Sequence, residues 1–121
     1  PMTYRVRDVQ AGDEVGAYAV CLQTGEFGQD ATRYFSDDPD ALGRIYVGPY
    51  LAFEAQLGRI LERGDGRIVG YALGALDSRD FYRRYEEEWR PALCARFPMP
   101  PGESAGWNRT QQVHAAYHHP D

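Results

Sequence analysis

The sequence has 121 residues, a formal net charge of −5 and no lysine, since all 13 of its basic residues are arginines. A chain of this length forms one domain and buries about two thirds of its unfolded surface, so it needs no disulfide or metal for stability. The acidic balance argues against a nucleic-acid partner, because nucleic-acid binding requires a basic face. The lack of lysine excludes Schiff-base catalysis and the phosphate-loop lysine.

The two cysteines, Cys21 and Cys94, lie far apart and show no C-x-x-C spacing. They are therefore predicted to be buried free thiols. The sequence has no apolar run of membrane length, and charged Arg5, Arg7 and Asp8 stand where a signal peptide would be apolar. We expect a reducing, cytoplasmic compartment and no membrane partner.

The first elements follow from periodicity and from helix-boundary residues. Residues 3–7 alternate and predict a half-buried strand with Tyr4 and Val6 on its buried side. A helix is predicted to begin at Asp13 as N-cap and to end at a left-handed Gly25. Its expected buried face is formed by Val15, Tyr18, Ala19 and Leu22.

Residues 26–37 are polar with interleaved aromatics and predict a loop. Asp38-Pro39 is a typical helix start, and the short helix that follows is predicted to stop at Gly48-Pro49.

The stretch RGDGRIVGYALGAL predicts a β-hairpin. Asp65-Gly66 is a tight-turn signal, because glycine adopts positive φ without steric cost. Residues 68–76 then form a strand buried on both faces. RIVGYA also matches the phosphate-loop pattern R-x-x-G-x-A, but such a loop needs backbone N–H groups converging at a helix start. We therefore interpret that match as coincidental.

Asp77 is the predicted N-cap of an amphipathic helix in which Phe81, Tyr85, Trp89 and Leu93 recur every four residues. Pro91 should kink this helix. A proline-rich linker at about 97–103 and an irregular tail at 104–121, with at most a short helix near 109–116, complete a single domain over 1–121. The order of strand, helix, helix, strand, strand and helix predicts an α+β fold.

This order, led by YRVRDVQAGDEVGAYAVCL, resembles the first half of a GNAT-superfamily N-acetyltransferase. The phrase D-G-x-I-V-G-Y of that family corresponds to Asp65, Gly66, Ile68, Val69, Gly70 and Tyr71. The stretches CLQTGEFGQDAT, ALGRIYVGPYLAFE and YALGALDSRDF are more narrowly similar to bacterial acetyltransferases related to the GNAT-like C-terminal domain of protein O-GlcNAcases.

The resemblance implies a partial GNAT-like fold, with a mostly antiparallel mixed sheet that lacks the later strands. It implies acetyl-CoA-dependent transfer to a small-molecule or peptide amine by the complete domain, with no cofactor bound and no activity from this part alone. The free strand edge is expected to pair with the second half of the fold or with another copy of the chain. The alternative is an inactive GNAT-like binding or dimerisation module.

The resemblance also places the acceptor side in the loop after the first helix and at the end of the third strand. Glu26, Asp30, Tyr34, Asp77 and Tyr50 are the candidate acceptor-binding residues, and catalytic and cofactor-binding residues stay unassigned. Asp77 and Asp30 are equally suited to capping a helix and a turn. Tyr50, like its neighbour Tyr46, is equally suited to packing.

The tail contains H-x-x-x-H-H, formed by His114, His118 and His119. On a helix, His114 and His118 would share a face, as metal ligands require. Because the only acidic residue beside them is Asp121, we expect a solvent-facing tail and no metal.

Overall fold

The structure is a computed structural model that describes residues 2–118. Its strands are β1 (Tyr4–Asp8), β2 (Arg59–Arg63) and β3 (Ile68–Ala72), which form one antiparallel sheet in that order. The helices are α1 (Asp13–Gln23), α2 (Gly43–Tyr46), α3 (Gly48–Phe53), α4 (Ser78–Arg84), α5 (Arg90–Arg96) and α6 (Arg109–His118). The α+β class is confirmed.

The predicted hairpin is confirmed, with a shorter second strand. Gly66 has φ of 89°, and the amide of Arg63 donates to the carbonyl oxygen of Arg67 at 2.8 Å. β3 ends at Ala72 and its residues are half-buried or exposed, so the prediction of a strand over 68–76 buried on both faces is wrong. Beyond it, Leu76 is 86% exposed.

Only one face of the sheet is covered by α1. Residues directly opposite in the register share a face, and on the covered face Arg7, Ile60 and Tyr71 are neighbours. Tyr4 and Val6 lie on the other face and are 58% and 68% exposed. The predicted facing of β1 is therefore wrong, because alternation separates two faces without indicating which one a helix covers.

The start of α1 also differs from the prediction. Gly12, with φ of 90°, precedes the helix, and Asp13 is its first residue rather than its N-cap. The helix turns Ala17, Cys21 and Leu22 inward, whereas Val15 is 76% exposed.

The predicted left-handed end at Gly25 is also wrong. Gly25 does not adopt positive φ, and a Cβ there would lie 2.5 Å from Cδ1 of Leu42. Its small size therefore serves packing rather than a left-handed turn.

Gly48-Pro49 begins a helix instead of ending one. Pro49 lies in the first turn of α3, where its missing N–H costs nothing and its fixed φ suits the helix. The chain therefore passes from α2 directly into α3, and the predicted stop is wrong.

The helix predicted to follow Asp77, with an apolar residue every four positions, is present as α4, a π-helical turn and α5. Asp77 caps α4 by accepting hydrogen bonds from the backbone N–H groups of Arg79 and Asp80. Phe81, Tyr85 and Leu93 are each no more than 9% exposed. A π-helical turn, Tyr85–Trp89, precedes α5 and accommodates the missing N–H of Pro91.

The region after the linker is more ordered than an irregular tail. The ten-residue helix α6 packs into the core, and Tyr117 is fully buried with its hydroxyl donating to the carbonyl oxygen of Ala41 at 2.7 Å. Val113 packs against the cluster of Leu22, Ala31 and Phe35.

Cys21 is buried, Cys94 is half-buried, and both are free thiols. Within residues 2–118, every helix is too short or too polar to cross a bilayer.

Candidate functional site

Three of the predicted acceptor residues, Glu26, Asp30 and Tyr34, lie in the segment that follows α1, and each contacts a nearby side chain. The carboxylate of Glu26 accepts from the guanidinium of Arg109 at 2.6 Å, and that guanidinium lies 4.6 Å from the centre of the Tyr34 ring. Asp30 accepts from the backbone N–H of Thr32 at 2.9 Å and also from its hydroxyl, the turn-capping alternative. These hydrogen bonds lower the pKa of Asp30.

An open depression of about 480 Å³ separates this loop from the start of α6. It is lined by Arg33, Tyr34, Ser36, Asp37, Trp107, Asn108, Arg109 and Gln112. Asp37 accepts a hydrogen bond from Thr110 at 2.5 Å, which lowers the pKa of that carboxyl group. An ionised carboxylate, a phenol and a guanidinium therefore border this depression.

Asp77 and Tyr50 form a second group. Asp77 caps α4, and the Tyr50 ring stacks on Phe81 with 4.4 Å between ring centres. Neither residue lines the depression beside α6. Tyr46 is 59% exposed and also lies outside that depression. The predicted acceptor set is thus divided between two places.

Sequence reasoning missed a third place, a cleft of about 450 Å³ between α1, α5 and the segment that leads into α2. We call it the α1–α5 cleft. It is lined by Glu14, Val15, Tyr18, Asp40, Arg44, Trp89, Ala92, Leu93 and Arg96. Glu14, Asp40 and Arg96 on its walls are exposed, whereas Tyr18 and Trp89 are half-buried.

Two glycines allow the aromatic wall of this cleft to form. A Cβ at Gly43 would lie 2.5 Å from Cγ of Tyr18, and a Cβ at Gly48 would lie 2.5 Å from Cζ2 of Trp89 and also against the Tyr18 hydroxyl. The indole N–H of Trp89 donates to the carbonyl oxygen of Arg44 at 2.8 Å. The two rings are therefore held in place by close contacts and a hydrogen bond.

Burial, together with the nearby carboxylate of Glu14, raises the pKa of Tyr18 to about 12. Asp40 acts in the same direction and Arg44 opposes it. The phenol is consequently neutral at physiological pH.

The missed signal is the position of the glycines. The sequence predicts Gly48 as the end of an element, although a glycine next to large aromatics also marks a close approach. The sequence pattern predicts that Tyr18 and Trp89 lie on core faces, because it does not distinguish a core face from the wall of a cleft.

The histidines of α6 make internal contacts. Nε2 of His114 lies 2.6 Å from a carboxylate oxygen of Asp38, and Nε2 of His118 lies 2.8 Å from the carbonyl oxygen of Phe97. His119 and Asp121 lie outside the described residues. In the described part of the chain, no three potential metal ligands converge.

Comparison with known proteins agrees with this fold. The chain is 30% identical over 100 residues to the protein O-GlcNAcases of Rattus norvegicus and Mus musculus, a match that covers 83% of this chain and 11% of each relative. The crystal structure of SsHAT matches 98% of this chain and 57% of that chain, with a TM-score of 0.81 and 28% identity. No family model matches the sequence.

The fold and the comparisons together define a GNAT-like domain, which confirms the resemblance found in the sequence. Within that class, the chain is similar in sequence to protein O-GlcNAcases. It spans about a tenth of the length of those relatives and 57% of the SsHAT chain.

Proposed function

We propose that this chain belongs to an acetyl-CoA-dependent N-acetyltransferase that transfers an acetyl group to an amine. The observation that carries the proposal is the similarity to the SsHAT structure over 98% of the chain. The similarity extends from β1 through α6, so it includes both the loop and the β3–α4 junction where the acceptor residues were predicted.

The acceptor side of the proposed site is the depression beside α6. A cationic amine is attracted by a carboxylate that stays ionised, and Asp37, which lines the depression, has a lowered pKa because the Thr110 hydroxyl stabilises its charged form. The pKa of Asp30 is also lowered, but Asp30 and Glu26 lie in the same loop outside the lining of the depression. Glu26 contributes less net charge, since Arg109 neutralises it. Tyr34 supplies an aromatic wall, whereas Asp77 and Tyr50 serve the β3–α4 junction and the packing of α4.

The stretch RIVGYA matches the phosphate-loop pattern, but it does not form a binding site for the pyrophosphate of acetyl-CoA. Ile68–Ala72 is strand β3, which pairs with β2 apart from one register shift between Leu61 and Glu62, so its amides do not converge at a helix start. The proposal therefore assigns only the acceptor side to these residues.

The test is acetyl transfer by the full-length protein to a panel of small amines and peptide amino termini, with release of the free thiol measured. We expect turnover with at least one amine. Tyr34→Ala should raise KM for that amine severalfold with kcat less affected, and Tyr46→Ala, which changes an exposed ring outside the depression, is the matched control. Absence of turnover with every amine would contradict the proposal.

A second candidate is the binding or dimerisation module, which the uncovered face of the sheet favours. Tyr4 and Val6 are exposed there, and within residues 2–118 strand β3 pairs only with β2, which leaves its other edge unpaired. Size-exclusion chromatography with light scattering tests this candidate. A homodimer that Val6→Glu dissociates would support it, and a stable monomer of 13.7 kDa would contradict self-association.

A further inference from the structure

The α1–α5 cleft contains carboxylates that the rest of the molecule does not use. Among the described residues, most carboxylates form an ion pair, cap a turn or helix, or accept from a side chain. The exceptions are Glu14, Asp40 and Glu103. Two of these three line the same cleft.

The floor of the cleft suits an organic cation. Tyr18 and Trp89 offer ring surface, and a cation over an aromatic face is attracted by the electron density of the ring. Phe53 meets Trp89 edge-on at 5.9 Å and fixes its orientation. The phenol of Tyr18 stays neutral at physiological pH. Its oxygen can therefore accept a hydrogen bond from a cation although the phenol carries no charge.

The two arginines of the cleft do not cancel its negative charge. Arg44 forms an ion pair with Asp38 at 2.6 Å and stacks on Phe97 at 4.1 Å, so its charge is already compensated. Arg96 is exposed, and its guanidinium lies 5.0 Å from the centre of the same Phe97 ring. The charges of Glu14 and Asp40 thus exceed the single uncompensated charge of Arg96.

We propose that the α1–α5 cleft binds a cationic group carried on a short apolar stem, such as an alkylguanidinium or alkylammonium. Glu14 and Asp40 attract the charge, and the rings of Tyr18 and Trp89 contact the cation and its stem. The cleft shares no lining residue with the proposed acceptor residues, so this binding does not depend on acetyl transfer. The same chemistry is offered by a free amine or guanidine and by a lysine or arginine side chain of a peptide.

The test is an NMR titration of the protein with butylguanidinium and with butylurea, its neutral isostere. The reporter is the indole N–H resonance of Trp89, assigned by comparison with Trp107→Phe. We expect butylguanidinium to shift this resonance in a saturable way and butylurea to leave it unchanged. Equal shifts by both probes, or none by butylguanidinium, would overturn the proposal.

Variants identify the groups responsible. Glu14→Gln combined with Asp40→Asn should weaken butylguanidinium binding about tenfold or more, since each charge-assisted contact is lost. Glu103→Gln, which removes an unpaired carboxylate outside the cleft, should leave binding unchanged. Arg96→Ala should leave it unchanged or strengthen it. Loss of butylguanidinium binding in Arg96→Ala would contradict the charge balance argued for the cleft and would overturn the assignment.

A peptide with one arginine between glycines separates the two sources of the cation. Tighter binding than butylguanidinium supports a side chain of a partner, and equal or weaker binding supports a free small cation. Because none of these measurements uses acetyl-CoA, failure of this proposal and failure of the acetyltransferase proposal are distinguishable.

Discussion

Arg7 and Asp13 form a two-point ion pair, in which the two guanidinium N–H groups of Arg7 each donate to one carboxylate oxygen of Asp13 at 2.8 Å. The pair joins the end of β1 to the first residue of α1, and both side chains are largely buried. Arg7 also donates to Glu62 on β2 at 2.8 Å, so one guanidinium ties a helix to two strands.

We expect Asp13→Ala to lower the free energy of unfolding by about 1 to 3 kcal/mol, because it removes two charge-assisted hydrogen bonds and the acceptor for the amide of Gln10. Urea denaturation measures the change. Asp8→Ala removes an exposed pair with Arg59 at 3.5 Å and should cost less than about 1 kcal/mol. Equal losses in the two variants would contradict the structural role of the buried pair.

Asp38 makes the free energy of unfolding depend on pH in the acidic range. Burial opposes ionisation of this carboxyl group, but Arg44 and His114 bind it at 2.6 Å, and its pKa is lowered overall. A lowered pKa stabilises the fold above the unfolded value of about 3.9, and this stability is lost as the pH falls through the folded pKa.

Urea denaturation between pH 2 and pH 6 should therefore show a loss of stability in acid that is smaller in Asp38→Asn. Glu103→Gln, which removes a carboxylate without an ion pair, is the charge-matched control and should follow the unmodified protein. An Asp38→Asn curve parallel to that of the unmodified protein would contradict this assignment.

Gly48→Ala should destabilise the protein by about 1 to 3 kcal/mol, because the new Cβ would overlap Trp89 and the Tyr18 hydroxyl. Gly74→Ala is the matched control, since a Cβ there meets nothing within 4 Å. Thermal unfolding followed by circular dichroism compares the two. If Gly48→Ala unfolds at the same temperature as Gly74→Ala, the aromatic wall of the cleft is not packed as described.

Tyr117→Phe tests the docking of α6. Burial raises the pKa of Tyr117 to about 12, and its hydroxyl donates to the carbonyl oxygen of Ala41, so the variant should lose about 0.5 to 1.5 kcal/mol. Tyr46→Phe, on a ring that is 59% exposed, should change stability by less than this amount. Chemical denaturation measures the free energy of unfolding of both variants. If Tyr117→Phe unfolds with the same free energy as the unmodified protein, the buried hydrogen bond that docks α6 is contradicted.

The features predicted well from the sequence are those fixed by neighbouring residues. The turn at Asp65-Gly66 depends on the φ of a single glycine, and the cap at Asp77 depends on backbone groups two and three residues away. The apolar stripe of Phe81, Tyr85 and Leu93 follows from helical spacing. Each of these signals is complete within a short window.

The features predicted badly depend on distant contacts. Tyr117 meets Ala41 across 76 positions, and no local pattern in a polar tail indicates that partner. The facing of β1 was wrong for the same reason, since Arg7 is turned inward by Asp13 and Glu62 rather than by its own hydropathy. The α1–α5 cleft is lined by both Glu14 and Trp89, which lie far apart in the sequence, and no local pattern indicates that they share a cleft.

The most direct test of the acetyltransferase proposal is native mass spectrometry of the full-length protein with and without acetyl-CoA. The proposal predicts a gain of one acetyl-CoA for each copy of the domain. A full-length protein that gains no acetyl-CoA at saturating concentrations would contradict the proposal and favour the binding module.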